Sequence, residues 1–186
     1  MKTTIKNCSA PLLYAVMQKM LHPSSDYVVL AIGSDRATGD CIGPLVGHFL
    51  ARENKHIPVF GSLTSPVTAL NFEHMYTCLK IKYPKRKIIA IDACISKKDD
   101  VGSIKVESGG ICPAAATGKK LKRVGDISIT AVVSDKKENI CSIHLGLVYN
   151  MAETISSALC DALSSVTISE VLRKNKNGLL KIADLM

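Results

Sequence analysis

Two aspartates stand where a chain of this type can do chemistry. Asp40 lies in Gly33-Ser34-Asp35-Arg36-Ala37-Thr38-Gly39-Asp40-Cys41-Ile42-Gly43-Pro44, and Asp92 lies in Ile91-Asp92-Ala93-Cys94. Each follows an apolar, β-branched run. In open α/β sheets, sites form in the crevice beyond the carboxyl ends of the strands, so the two carboxylates are expected along one sheet edge. A facing pair can share a proton and activate a water, or it can ligate a divalent cation. A structural role competes with this: Asp40 is well placed to cap a helix, and Asp92 could cap whatever follows it. Asp35 reads as a turn residue or a partner for Arg36. A third segment, Val124-Gly125-Asp126-Ile127-Ser128-Ile129-Thr130, places Asp126 before a β-rich run with Ser128 and Thr130 on one face. It reads either as a Gly-Asp turn entering a strand or as a further polar group near the pair.

Other chemistries lack their residues. The 33–39 segment has no lysine for a phosphate loop, and around 110–120 the glycine spacing is wrong, with Leu121 where Ser or Thr is needed. There is no Gly-x-Ser-x-Gly elbow and no His-Glu-x-x-His. Cys41 and His48 are two helical turns apart, roughly 10 Å, beyond hydrogen-bond reach. The seven cysteines include no Cys-x-x-Cys, which argues against a zinc module and a disulfide framework and for free thiols in a reducing cytoplasm. On that reading the Asn7-Cys8-Ser9 sequon is idle.

The elements that must position these residues alternate between helix and strand, which predicts an α/β layered domain with a mostly parallel sheet. Residues 11–21 have helical spacing of Leu13, Val16, Met17 and Met20. The 27–32 run reads as a strand buried on both faces. The spacing predicts a helix over 40–51, where Gly43 and Gly47 allow close approach to a neighbour and Pro44 is tolerated in the first turn. A short strand is expected at 57–60 and a long helix at 65–81. A second central strand at 87–91 closes on Asp92. Strands are expected again at 102–106 and 127–133, separated by a basic Ala/Gly loop at 111–123. A long amphipathic helix at 141–163 and a short one at 167–173 complete the pattern.

With 186 residues, 47% of them hydrophobic, the chain reads as a single domain, 1–186, able to bury its own core. No apolar run approaches the ~18 residues of a membrane span, and no secretory signal is read. The net charge is +8, but the basic residues fall in short scattered clusters such as Lys119–Arg123 and Lys136–Lys137, without interleaved aromatics. Nucleic acid is therefore not an expected partner.

Taken together, the three motifs closely resemble, in order, those of the YyaC-type spore proteases of endospore-forming bacteria, over roughly residues 26–162. That family is similar to the germination protease and, more distantly, to the hydrogenase-maturation endopeptidases. The resemblance implies a three-layer α/β/α sandwich of the phosphorylase/hydrolase-like type. It also implies a peptidase that hydrolyses a spore protein in the cytoplasm of the sporulating cell or the spore interior, with room for a homo-oligomer. Motifs matching around Asp40 and Asp92 hold the catalytic aspartates of the germination protease, so these two would be the catalytic pair, with Asp35, Arg36 and Asp126 lining or orienting the site. The hydrogenase-maturation enzymes add a histidine and a divalent metal. No histidine stands in a matching motif here, so no metal or other cofactor is expected. Two other readings compete: a non-catalytic sporulation protein that binds a peptide or partner in the same crevice, and a metal-dependent endopeptidase.

Overall fold

A computed structural model describes residues 1–6, 9–113, 123–135 and 139–183, with side chains as far as Thr167. Its strands are β1 (Lys2–Ile5), β2 (Tyr27–Ala31), β3 (Val59–Phe60), β4 (Lys87–Ser96), β5 (Ile104–Ser108) and β6 (Ile127–Asp135). Its helices are α1 (Ala10–Met20), α2 (Ile42–Glu53), α3 (Phe72–Lys82) and α4 (Leu145–Ala183). The strands form one six-stranded sheet in the order β1-β5-β6-β4-β2-β3. Pairing is parallel across β6, β4, β2 and β3, and antiparallel between β1 and β5 and between β5 and β6.

The two faces of the sheet are covered unequally. On one face, Val29 and Ala31, Ile89 and Ile91, Ile127 and Ile129, and Ile104 and Val106 join α1, α2 and α4 in the larger core. On the opposite face, Val28, Leu30 and Ile88 at one end meet Phe72 and Leu79 of α3 in a smaller cluster. Strand β2 is buried throughout, as expected of a strand covered on both faces. The layered α/β architecture follows the sequence pattern, and helices on both sides of the sheet match the α/β/α sandwich that the resemblance implies. Helix α2 lies so close to the sheet that a Cβ on Gly43 would overlap the Ile32 carbonyl and one on Gly47 the Gly61 carbonyl.

Several boundaries differ from the sequence reading, each for a local reason. The helix expected at 65–81 begins only at Phe72. Before it, Val67 forms a parallel bridge with Ile32. The Asn71 side chain accepts from the Thr68 amide at 2.8 Å and donates to the Pro66 carbonyl at 3.0 Å, a side-chain alternative to helical pairing. The helix expected at 141 starts at Leu145, after a 3₁₀ turn over Ile140–Ser142 whose Cys141 amide is held by Asn139 at 2.9 Å. It then runs unbroken through the separate helix expected at 167–173. Strand β1 has no counterpart in the sequence reading. Asp92, expected at a strand end, lies inside β4. Most of the basic Ala/Gly loop, the lysines of the 119–123 and 136–137 clusters, and Asn7 and Cys8 lie outside the described residues.

Candidate active site

Strand alternation builds the floor of a site on the less covered face. Among the residues of β4, β6 and β5 that alternate with the large core and point the other way are six polar ones: Asp92 and Cys94, Ser128 and Thr130, Lys105 and Glu107. All six line a cavity of about 700 Å³. The segment after β2 contributes Gly33, Ala37 and Asp40 to its wall, and Ile32, Ala69, Ile95, Ile111 and Ile140 make apolar parts of the lining.

Asp40 is brought to the cavity by backbone. A 3₁₀ turn over Thr38–Asp40 precedes α2, the Asp40 amide donates to the Ala37 carbonyl at 2.9 Å, and the Ser34 amide donates to the Asp40 carbonyl at 3.1 Å. This folding-back requires Gly33, whose φ is +145° and where a Cβ would strike the Asp40 carbonyl oxygen. Helix α2 is preceded by Cys41 and has no side-chain cap, so Asp40 does not serve as one. Asp92 is paired in register with Thr130, and its Oδ1 accepts from the Ala93 amide at 2.9 Å. Lying within a strand, it caps no helix either.

The surroundings raise both carboxyls. Burial takes Asp40 up to about 6, eased by a hydrogen bond from the Ser34 backbone. Burial takes Asp92 up to about 8, helped by the charge of Asp40 and opposed by the Ala93 amide. Asp92 is the more deeply buried and the more strongly raised of the two, the direction that separates an acid from a base in one cavity. The nearby thiols are held protonated. Burial pushes Cys94 up to about 11 against the pull of Lys105, and burial together with Asp35 and Asp40 raises Cys41.

The other charged groups of the lining are engaged. Lys105 donates to Ser96 Oγ at 3.0 Å and to Asp100 Oδ2 at 3.3 Å. Glu107 pairs with Lys2 at 2.7 Å, and the Arg123 guanidinium donates to the Gly110 carbonyl. Lys105, Glu107 and Arg123 were not singled out from sequence. The period-2 pattern Ile104-Lys105-Val106-Glu107 does put the two β5 charges on one face, but which face floors a cavity depends on the partner strand.

Three residues expected at the site are placed elsewhere. Asp35 and Arg36 are exposed and are not among the lining residues. Their segment turns outward, with the Arg36 amide donating to Ser34 Oγ at 3.2 Å. Asp126 precedes β6, at the end of the ladder away from Asp92. Its carboxylate accepts from the Ile88 amide and its own amide donates to the Ile88 carbonyl, both at 2.8 Å, so it fastens the start of β6 to β4.

Among the described residues the donor set does not suit a metal ion. No histidine lines the cavity, and among the described residues no group of three or more His, Cys, Asp or Glu side chains is arranged to hold one.

Comparison with known proteins agrees with this architecture. The chain belongs to the family described as "Protein of unknown function (DUF1256)", which matches residues 2–158. It is 36% identical over 137 residues to "Uncharacterized protein YyaC" of Bacillus subtilis (strain 168), covering 71% of this chain and 67% of that protein. Its fold is similar to that of the NiFe hydrogenase maturation protease HycI from Thermococcus kodakarensis KOD1. That likeness has a TM-score of 0.60 at 14% identity, over 80% of this chain and 99% of the other. The NiFe hydrogenase maturation protease HybD from Thermococcus kodakarensis matches with a TM-score of 0.47 at 18% identity, over 74% and 98% of the two chains.

Proposed function

We propose that this chain is a peptidase in which Asp40 and Asp92 activate a water for attack on a peptide carbonyl. The observation that carries the reading is one cavity lined by two carboxyls, both raised by burial, with Asp92 raised further by the charge of Asp40. Asp40 takes a proton from the water and Asp92 supplies one. That neither aspartate caps a helix supports a chemical role over a purely structural one. The fold shared with a solved maturation protease supports a protein or peptide substrate.

The resemblance of the motifs to those of the YyaC-type spore proteases supports a spore protein as that substrate. It also supports a place of action in the cytoplasm of the sporulating cell or in the spore interior. Among the described residues no helix is long and apolar enough to cross a membrane. The test is incubation of the purified protein with a spore-protein extract, beside the Asp40→Asn/Asp92→Asn double variant, with mass spectrometry of the products. Discrete new termini are expected with the wild type only. Their absence, or their presence in both samples, overturns the reading.

A further inference from the structure

We propose that Thr130 is a further catalytic residue, its hydroxyl donating a hydrogen bond to the carbonyl oxygen of the scissile peptide as negative charge builds there. This assignment rests on the peptidase reading above. Thr130 stands opposite Asp92 in the parallel ladder of β4 and β6, and opposite Lys105 in the antiparallel ladder of β5 and β6. Asp92, Thr130 and Lys105 therefore form one row across three strands, on the face that floors the cavity. Adjacent strands run about 4.8 Å apart, which places the threonine beside the aspartate.

The neighbouring polar groups are already committed. The Ser128 hydroxyl donates to the Glu107 carbonyl at 3.4 Å, and Lys105 is held by Ser96 and Asp100. Glu107 is paired with Lys2, and one oxygen of Asp92 accepts from Ala93. Thr130 is half-buried and lines the cavity, yet its hydroxyl has no hydrogen-bond partner among the described residues. A donor without a partner among the described residues, beside an acid in a cavity of about 700 Å³, is placed for an oxygen of the substrate.

The step balances with the groups present. Asp40 takes one proton from water, and the water oxygen bonds to the carbonyl carbon. The π pair moves onto the carbonyl oxygen, which Thr130 holds. When that pair returns, the C–N bond breaks, its electrons pass to nitrogen, and nitrogen takes the proton of Asp92. The proton on Asp40 then passes to Asp92, leaving a new carboxyl, a new amine and the starting pair.

The experiment compares wild type with Thr130→Val, which keeps shape and loses the donor, and Thr130→Ser, which keeps the donor. Thr130→Ala serves as a second hydroxyl-free variant should valine fail to fold. A tryptic peptide library of a bacterial proteome is digested, and the best-cleaved peptide is synthesised for kinetics. Loss of one such donor is expected to lower kcat by about a hundredfold or more with KM little changed, and serine is expected to restore most of it. Activity of a hydroxyl-free variant within about threefold of wild type, or serine as impaired as valine, overturns this assignment alone. A wild type that cleaves neither the library nor the spore extract overturns the peptidase reading and this assignment with it.

Discussion

Asp40, in the turn after β2, and Asp92, inside β4, line one cavity, and the charge of the first raises the pKa of the second. Their titrations are therefore linked, and the proposed mechanism has the two act as a unit. Each of Asp40→Asn and Asp92→Asn is expected to abolish most hydrolysis, and the double variant to add little, because groups acting together are strongly non-additive. Steady-state kinetics of the three variants on one peptide check this. Full activity in either single variant removes that aspartate from the mechanism.

The same pair makes a stability prediction with a definite sign. Both carboxyls titrate in the folded chain above the ordinary value of 3.8. Between about pH 4 and pH 8 the folded state therefore holds protons that the unfolded state has released, and stability falls as pH rises through that window. Asn does not titrate, so Asp92→Asn is expected to melt higher than wild type at pH 8, with the gain shrinking towards pH 4. For a chain of this size each kcal/mol moves Tm by about 2–4 °C. Thermal melts of both proteins from pH 4 to 8 measure it, and a gain that grows on acidification contradicts it.

The pH dependence of kcat/KM is expected to be bell-shaped. Its acidic limb should fall near 6, where Asp40 must ionise, and its basic limb near 8, where Asp92 must keep its proton. A rate that keeps rising through pH 9 would assign the acid elsewhere.

Thiol chemistry is expected to be dispensable. Cys94, in the cavity, is pushed up to about 11, and Cys41 is buried with its pKa raised, so neither supplies a thiolate near pH 7. Cys41→Ala and Cys94→Ser should retain activity within a few-fold in the same assay. Loss of cleavage in a variant that still folds would point to a cysteine mechanism.

Asp126 is expected to matter for stability and little for catalysis. Asp126→Ala removes the acceptor of the Ile88 amide and should cost about 1–3 kcal/mol. Urea unfolding and activity per folded molecule separate the two effects. A stable but inactive Asp126→Ala would return this residue to the site.

Gly33→Ala is expected to lower activity by displacing Asp40, since the added Cβ meets the Asp40 carbonyl oxygen at a φ of +145°. Activity and melting temperature should fall together, by overpacking of about 1–3 kcal/mol. An unperturbed variant would show that the turn tolerates a side chain.

Much of this protein is written in local pattern. The apolar run of β2 and the helical stripe of α2 are periodic signals that survive folding because burial rewards them wherever the element packs. The glycines at 43 and 47 announce a close helix approach, and the two aspartates stand out because carboxylates follow apolar runs. Other features depend on which strands become neighbours. That Thr130 faces Asp92, that Lys105 and Glu107 share their face, and that Asp126 ends up fastening β6 to β4 are all consequences of register and strand order. The pairing of β1 with β5, and of β5 with β6, comes from contacts between residues distant in sequence, which no local period records. The sequence by itself determined the alternating α/β layers and singled out the two aspartates that line the cavity. Only the tertiary structure decided which polar residues share the cavity face, because among the described residues α1, α2 and α4 cover one side of the sheet and α3 packs at one end of the other.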